Sequence, residues 1–192
     1  MLSLGLCMFL LFTLFSSAQA QQRVSSATIT NFTATWVDIA TTGTLANYVI
    51  AAGGDPYQNN DEAEITIPLP FDFLYDGVLL PAGSNVGLCT NHSVEFGGPF
   101  AWNGGNVGPW FGNSPCEGKP TSPGIIVFGS QDGYTVTGSD HYQVDGSAPN
   151  RVLTFQQNSS SPPTIFQVKL YEGSGTIELI YHDHTGSLNG GI

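Results

Sequence analysis

Short stretches of alternating apolar and polar residues recur along the chain, and none continues with the 3.6-residue spacing of a helix. In residues 63–80, every second position from Ile65 to Tyr75 is apolar, while most intervening positions carry Thr, Pro or Asp. Period-two alternation of this kind predicts a strand with one buried face. Pro68 and Pro70 cannot donate hydrogen bonds to a ladder, so we expect this strand to be interrupted or to lie at an edge.

The clearest pair of strands lies near the C-terminal end, in residues 166–182. The short sequence Gly-Ser-Gly separates two alternating runs, which predicts a hairpin with its turn at residues 173–175. The positions expected to face the core are Phe166, Val168, Leu170, Ile177, Leu179 and Tyr181. Residues 150–158 alternate in the same way, and the apolar run 124–129 suits a buried central strand.

Strand-like runs separated by Gly, Pro, Asn and Asp continue along the rest of the chain. We therefore predict an all-β fold, an antiparallel two-layer β-sandwich of jelly-roll-like kind, formed by a single domain. Residues 99–123 have no periodicity and many breakers, so they are predicted to form a long inserted loop.

The first 20 residues have the layout of a secretory signal peptide. An apolar run from Leu2 to Phe15 precedes small residues that end in Ala18-Gln19-Ala20. The alternative is a membrane anchor, but the run is shorter than the roughly 20 apolar residues of a spanning helix. We expect a secreted or cell-surface protein with no membrane span in the mature chain, a Thr-rich strand segment over 21–45 and the sandwich domain over 46–192.

The charge balance narrows the range of partners. The chain has 4 basic and 15 acidic residues, which gives a formal net charge of −11. Phosphate groups would be repelled, so a nucleic-acid or anionic-membrane partner is not expected.

Two cysteines, Cys89 and Cys116, remain once the signal segment with Cys7 has been removed. An even number of cysteines in an exported protein predicts one disulfide, here closing the loop region, and two free thiols are the alternative.

Oxygen and nitrogen ligands suggest two candidate metal sites. Asp55, Asn59 and Asp61 provide the oxygens that calcium accepts, although a loop of self-bonded polar side chains is the alternative. His182 and His184 lie on one side of a predicted strand, about 7 Å apart. Solvated histidines are the alternative there, because structural zinc requires four defined ligands. No other cofactor is expected.

The loop aromatics Trp102, Trp110 and Phe111 are candidates for glycan binding, because flat rings with amide neighbours suit sugars. Packing of these rings onto the sandwich is the alternative. No Gly-x-Ser-x-Gly or His-Glu-x-x-His motif occurs, so we do not expect an enzyme, although a carboxylate pair for glycoside hydrolysis stays open.

Three Asn-x-Ser/Thr sequons begin at Asn31, Asn91 and Asn158. Each is a candidate for glycosylation if the chain passes through a secretory route that attaches N-glycans.

Several motifs occur in an order that resembles a known family. The segments IPLPFDFLYDG, SAPNRVLTFQQN and FQVKLYEGSGTIELIYH resemble parts of a β-sandwich domain found in secreted and surface proteins of Bacteroidota, often exported by the type IX system. Extracellular nidogen-like domains share a weaker form of the pattern. The resemblance covers residues 46–192 and departs at the inserted loop and at Gln156 or Gln157, where the family has a tryptophan.

This resemblance implies a non-catalytic module and supplies no catalytic residues. We expect an adhesin module or a subunit of an extracellular filament, with copies of itself or other surface proteins as partners. Assembly by β-strand addition would use the Thr-rich segment and an open sheet edge near the C-terminal end. A carbohydrate-binding module is the alternative, and a glycoside hydrolase-like enzyme comes third.

Overall fold

The structure is a computed structural model that describes residues 30–50, 63–90, 92–97, 124–127, 134–136, 138–161 and 163–182. Within these ranges all regular secondary structure is β-strand, which confirms the predicted all-β class. The strands are β1 (Thr44–Leu45), β2 (Val49–Ile50), β3 (Ala63–Pro68), β4 (Phe73–Tyr75), β5 (Val78–Leu80), β6 (Asn85–Cys89), β7 (Ser93–Phe96), β8 (Gly124–Val127), β9 (Tyr134–Thr135), β10 (His141–Asp145), β11 (Val152–Ser161), β12 (Pro163–Tyr171) and β13 (Ile177–His182). No helix long and apolar enough to cross a membrane occurs in these ranges.

The strands form two main sheets and a hairpin, and every pairing is antiparallel. The six-stranded sheet has the order β1-β10-β11-β12-β13, with β9 also pairing with β11. The five-stranded sheet has the order β2-β3-β6-β7-β8, and β4 pairs with β5 in a separate hairpin.

The hydrophobic core lies between the two sheets. Alternate residues of β11 and β12 in the first sheet point inward. They pack against alternate residues of β3, β6 and β7 in the second sheet and form one buried cluster. Two such faces packed together form the predicted β-sandwich, because each sheet removes the apolar face of the other from water. The cluster comprises Ile67, Leu69, Phe71, Phe73, Leu80, Val86, Leu88, Val94, Phe96, Leu153, Phe155, Phe166, Val168 and Leu170.

Proline interrupts the long alternating run, as its chemistry predicts. Strand β3 ends at Pro68, and pairing resumes at Phe73 in β4. Between them the backbone N–H of Leu69 donates to Ser84 O at 2.7 Å, which holds the connection against the loop that follows β5.

The predicted C-terminal hairpin is confirmed. Leu170 pairs with Ile177, and Tyr171 N donates to Thr176 O at 3.0 Å. The run 124–129 contributes β8, which pairs with β7 and is the last strand of its sheet among the described strands, so its predicted central position stays a prediction. Apolar composition reports burial of side chains and does not distinguish a central strand from an edge strand.

Candidate functional site

A row of side chains on the outer face of the six-stranded sheet is buried instead of solvated. Gln156, Gln167 and Ile180 lie side by side on β11, β12 and β13, on the face away from the core. They are only 2%, 1% and 7% exposed. An amide on a sheet's outer face is buried only when another segment covers it.

The covering segment is the chain from Trp36 to Gly43, which we call the strap. Gln167 Nε2 donates to Val37 O at 2.6 Å, and Ile39 N donates to Gln156 Oε1 at 3.1 Å. The two glutamines also bond each other, with 2.8 Å between Gln167 Nε2 and Gln156 Oε1. The sheet therefore recognises the backbone of the strap through side-chain amides, while Ile39 becomes 3% exposed.

The strap crosses the strands of the sheet in order. Trp36 stacks on His182 of β13, with 4.7 Å between the ring centroids. At the other end, Thr42 Oγ1 donates to Gln143 Oε1 of β10 at 2.7 Å. Immediately afterwards β1 pairs with the edge of β10 through Leu45 and His141.

A carboxylate joins the strap to the sheet between these ends. Gln156 Nε2 donates to Asp38 Oδ1 at 2.7 Å, and Ala40 N donates to the same oxygen at 2.9 Å. These two hydrogen bonds, the one from Gln156 first, lower the pKa of Asp38 because they favour the ionised form.

This arrangement changes the role of the Thr-rich segment 21–45. The part from Trp36 to Leu45 contacts its own sheet, and residues 30–35 are irregular and mostly exposed. A role of this segment in assembly stays a prediction for the residues that precede the strap.

Three of the motifs that carry the family resemblance meet at one ion pair. Arg151 Nε and Nη2 donate to Glu172 Oε2 and Oε1 at 2.8 and 2.6 Å, while Arg151 Nη1 donates to Pro70 O at 2.8 Å. The guanidinium also lies 5.5 Å from the centroid of the Phe71 ring. The pair lowers the pKa of Glu172 to about 2, chiefly through the hydrogen bonds from Arg151.

A buried polar cluster joins the two sheets at one end of the sandwich. Asp140 is 1% exposed and accepts hydrogen bonds from Tyr48 Oη at 2.6 Å and from Asn158 N at 2.7 Å. Gln157 Nε2 donates to Tyr48 Oη and to Cys89 O, both at 2.9 Å, and so reaches the five-stranded sheet.

Burial dominates the ionisation of this cluster. It raises the pKa of Asp140 to about 7, against the hydrogen bonds that favour the carboxylate. Burial, followed by the charge of Asp140, also raises the pKa of Tyr48 well above its ordinary value. Burial therefore favours the neutral form of both groups. The cluster acts as a structural link between the sheets.

Strand β13 lies at one edge of the six-stranded sheet in the described part of the chain. Among the strands that the structure describes, none pairs with its outer side. Because Tyr171 and Thr176 form a hydrogen-bonded pair, the alternation of an antiparallel ladder makes residues 178, 180 and 182 bond to β12. Ile177, Leu179 and Tyr181 consequently direct their N–H and C=O groups towards the open side.

The side chains of this edge carry little charge. Glu178 is the one acidic residue of β13, and it already interacts with Lys169 Nζ at 3.5 Å and with Tyr171 Oη at 2.6 Å. Tyr181 packs edge-on against Phe166, with centroids 5.5 Å apart, and is still 38% exposed. Burial raises the pKa of Tyr181.

The candidate metal ligands are not brought together in the described part of the chain. His182 stacks on Trp36, while His184, Asp55, Asn59 and Asp61 lie outside the described residues. Within those residues no group of three or more His, Cys, Asp or Glu side chains is placed to hold a metal ion.

The remaining candidates fall partly outside the described ranges. Cys89 is buried in β6, but Cys116 lies outside, so the disulfide stays a prediction. The aromatic residues Trp102, Trp110 and Phe111 and the sequon residue Asn91 also lie outside, and glycan binding at that loop stays a prediction.

The two described sequons differ in access. Asn31 is exposed in an irregular segment, next to Phe32 at 57% exposure. Asn158 is half-buried in β11, and its Nδ2 donates to Ser139 O at 3.1 Å. In the folded chain, Asn31 is therefore the more accessible acceptor.

Neither the strap nor the ion pair between Arg151 and Glu172 was predicted from the sequence. The signal for the strap was that Gln156 and Gln167 are uncharged amides at positions expected to face solvent, together with two large apolar residues, Trp36 and Ile39, in a Thr-rich segment. No signal in the sequence pairs Arg151 with Glu172, because the pairing depends on how β11 and β12 are aligned.

The fold and these contacts define a β-sandwich protein, and comparison with known proteins gives its family. A family model described as "NIDO related" matches residues 26–192. The chain therefore belongs to the NIDO-related family, in agreement with the weaker, nidogen-like resemblance seen in its motifs. The matched range includes the strap as well as the sandwich. Searches of curated proteins and of solved structures find no match.

Proposed function

We propose that this protein is a secreted, non-catalytic structural or adhesive module of a cell surface, and that it associates through β-strand addition at β13. The observation that carries the proposal is the open edge of β13, where Ile177, Leu179 and Tyr181 direct backbone donors and acceptors outward. An open edge of this kind pairs readily with another strand.

The opposite edge of the same sheet supports this interpretation, because it is protected. Strand β1 covers His141 and Tyr142 of β10, and the uncovered end of β10 carries Asp145, which is exposed. Short covering strands and charged side chains are the usual protection of an edge. Strand β13 has no covering strand in the described part of the chain, and its acidic residue, Glu178, already contacts Lys169 and Tyr171.

The finer features of the proposal come from the sequence. The signal-like first 20 residues support export, and the motif resemblance supports a surface protein of the kind that Bacteroidota export. The partners would be copies of the chain or other surface proteins, forming an adhesin or an extracellular filament. In the filament case the donor strand would come from the Thr-rich residues that precede Trp36.

The test compares two substitutions at one position. Tyr181→Pro and Tyr181→Val both remove the ring, but only proline removes the N–H group that points outward, and proline is tolerated at such positions of an edge strand. We expect the valine variant to retain self-association or partner binding and the proline variant to lose at least about tenfold in affinity, as for a loss of about 1.4 kcal/mol.

Association would be measured by analytical ultracentrifugation and electron microscopy of the full chain, with circular dichroism to verify the fold. Equal association of the folded proline and valine variants would overturn the proposed use of this edge.

A further inference from the structure

We propose that β13 pairs with β13 of a second copy, antiparallel and centred on Leu179, so that two sheets join into one. This inference rests on the open edge of the proposed function and names the partner as the chain itself. At this edge it replaces the donor strand from the Thr-rich segment with a second β13, in one register that the residues of β13 select.

The direction of the backbone groups limits the choice of register. Only Ile177, Leu179 and Tyr181 present N–H and C=O groups to the open side, so these residues must face one another across the junction. When Leu179 lies opposite Leu179 of the second copy, Ile177 lies opposite Tyr181 of that copy. By symmetry, Tyr181 lies opposite Ile177 of the second copy. All three residues then form hydrogen-bonded pairs, and each pair exchanges two bonds.

The two neighbouring registers are worse for identifiable reasons. A register centred on Glu178 places this carboxylate opposite its own copy, and like charges directly opposite each other are destabilising. A register centred on Ile180 leaves Ile177 without a partner inside β13, because its opposite residue would be number 183. The register centred on Leu179 avoids both costs.

The side chains of this register are complementary on both faces. On the core side, Ile177 lies next to Tyr181 of the second copy and Leu179 next to its own copy, which extends the apolar layer already formed with Phe166. The junction would cover Tyr181, which is 38% exposed. On the outer face, Glu178 lies opposite Ile180, so no two charges meet.

The symmetry of this contact determines the size of the assembly. Because each copy uses the same strand, the contact is isologous and closes after two copies. Filaments would require a second, different contact away from β13.

The net charge of the chain opposes the association, so the salt dependence of the dimer distinguishes this contact from one held by opposite charges. Each copy carries −11, so two copies repel one another at long range. Salt shortens the Debye length to about 8 Å at physiological ionic strength, so higher salt weakens this repulsion. We therefore expect the dimer to become tighter as sodium chloride increases, while a contact held by opposite charges would become weaker.

A cysteine scan of the full chain reports the register directly. Leu179→Cys places two thiols in a hydrogen-bonded pair with Cα atoms about 5.5 Å apart, within the usual range for a disulfide. Glu178→Cys and Ile180→Cys are the matched variants. Glu178→Cys would cross-link with its own copy only in the register centred on Glu178, and Ile180→Cys only in the register centred on Ile180. The unsubstituted chain controls for the native cysteines.

We expect oxidation to cross-link Leu179→Cys into a dimer at least about tenfold faster than either neighbouring variant, as thiol-disulfide chemistry requires close sulfurs. Faster cross-linking at position 178 or 180 would overturn the register. If no variant cross-links above the unsubstituted chain, and that chain sediments as a monomer in high salt, the dimer is overturned. Binding of a different partner that is lost in Tyr181→Pro and kept in Tyr181→Val would still support the proposed function in that case.

Discussion

Arg151 binds Glu172 through both guanidinium nitrogens that face the carboxylate, and its own backbone N–H donates to the same carboxylate at 3.0 Å. The third guanidinium nitrogen binds Pro70 O, at the point where the long alternating run is interrupted. One side chain thus fixes the end of β12, the start of β11 and the connection between β3 and β4. The three motifs that carry the family resemblance therefore share a common structural task.

Replacement of Arg151 by lysine should destabilise the protein nearly as much as replacement by alanine. A single ammonium group cannot bind both carboxylate oxygens and also reach Pro70 O, because the planar fork of arginine is lost. Urea unfolding of the two variants would measure this, with Lys169→Met as the control for loss of a simpler ion pair. A lysine variant as stable as the natural chain would contradict the prediction.

The ion pair also predicts an acid-dependent loss of stability. The pKa of Glu172 is about 2 in the folded chain, against an ordinary value of 4.5. The folded state therefore favours the carboxylate, and its contribution is complete above about 4.5 and is lost as the pH falls towards about 2. Unfolding free energies measured from pH 5 to pH 2 should fall less steeply for Glu172→Gln than for the natural chain.

The buried carboxyl of Asp140 predicts a dependence of the opposite sign. Its pKa is raised from 3.8 to about 7, so the folded state retains a proton that the unfolded chain has already released. Stability from this group is complete below about pH 4 and is lost as the pH rises through about 7, by up to about 4 kcal/mol.

Asp140→Asn tests this directly, because an amide stays neutral and can still accept from Asn158 N. We expect the unfolding free energy of this variant to change less between pH 5 and pH 8 than that of the natural chain. An unchanged pH dependence would assign the effect to another group.

The strands and their inner faces could be predicted because alternation is a local property of the sequence. The core residues of the C-terminal hairpin, from Phe166 to Tyr181, lie on the predicted face. The strap could not be predicted in the same way. It has no periodicity, and Gln156 and Gln167 have the polarity that an exposed sheet face would also have.

An edge near the C-terminal end was expected from the sequence, and its openness stays a prediction. The sequence indicated an open edge near the end of the chain, and β13 has that position within the described ranges. Which of its residues direct their backbone groups outward depends on the turn between Tyr171 and Thr176, which sets the ladder, and composition does not specify it.

The strap should be weakened by the loss of one glutamine. Gln156→Ala removes the acceptor of Ile39 N, and a buried N–H left without a partner costs about 1–3 kcal/mol. Gln143→Ala, which removes an exposed contact of the same strap, should cost within about 0.5 kcal/mol. Hydrogen exchange at the Ile39 amide, which should accelerate only in Gln156→Ala, and urea unfolding would measure the difference.

The accessible sequon should be the one used when the chain is produced in a secretory route that attaches N-glycans. Asn31 is exposed, whereas Asn158 Nδ2 is bound to Ser139 O in a paired strand. Intact mass should decrease by one glycan in Asn31→Gln and stay unchanged in Asn158→Gln. The reverse result would mean that the glycan is attached before β11 forms.

The direction of the strap has a mechanical consequence. A pulling force applied at the N-terminal side first loads the stacking of Trp36 on His182. It next loads the hydrogen bonds of the strap backbone to Gln167 and Gln156, and last the hydrogen bond between Thr42 and Gln143. These contacts would break one after another before the hydrogen bonds between β11 and β12 carry any load. We therefore expect a chain held by this end to lengthen at low force while its sandwich stays folded, because the strap detaches before the two sheets separate.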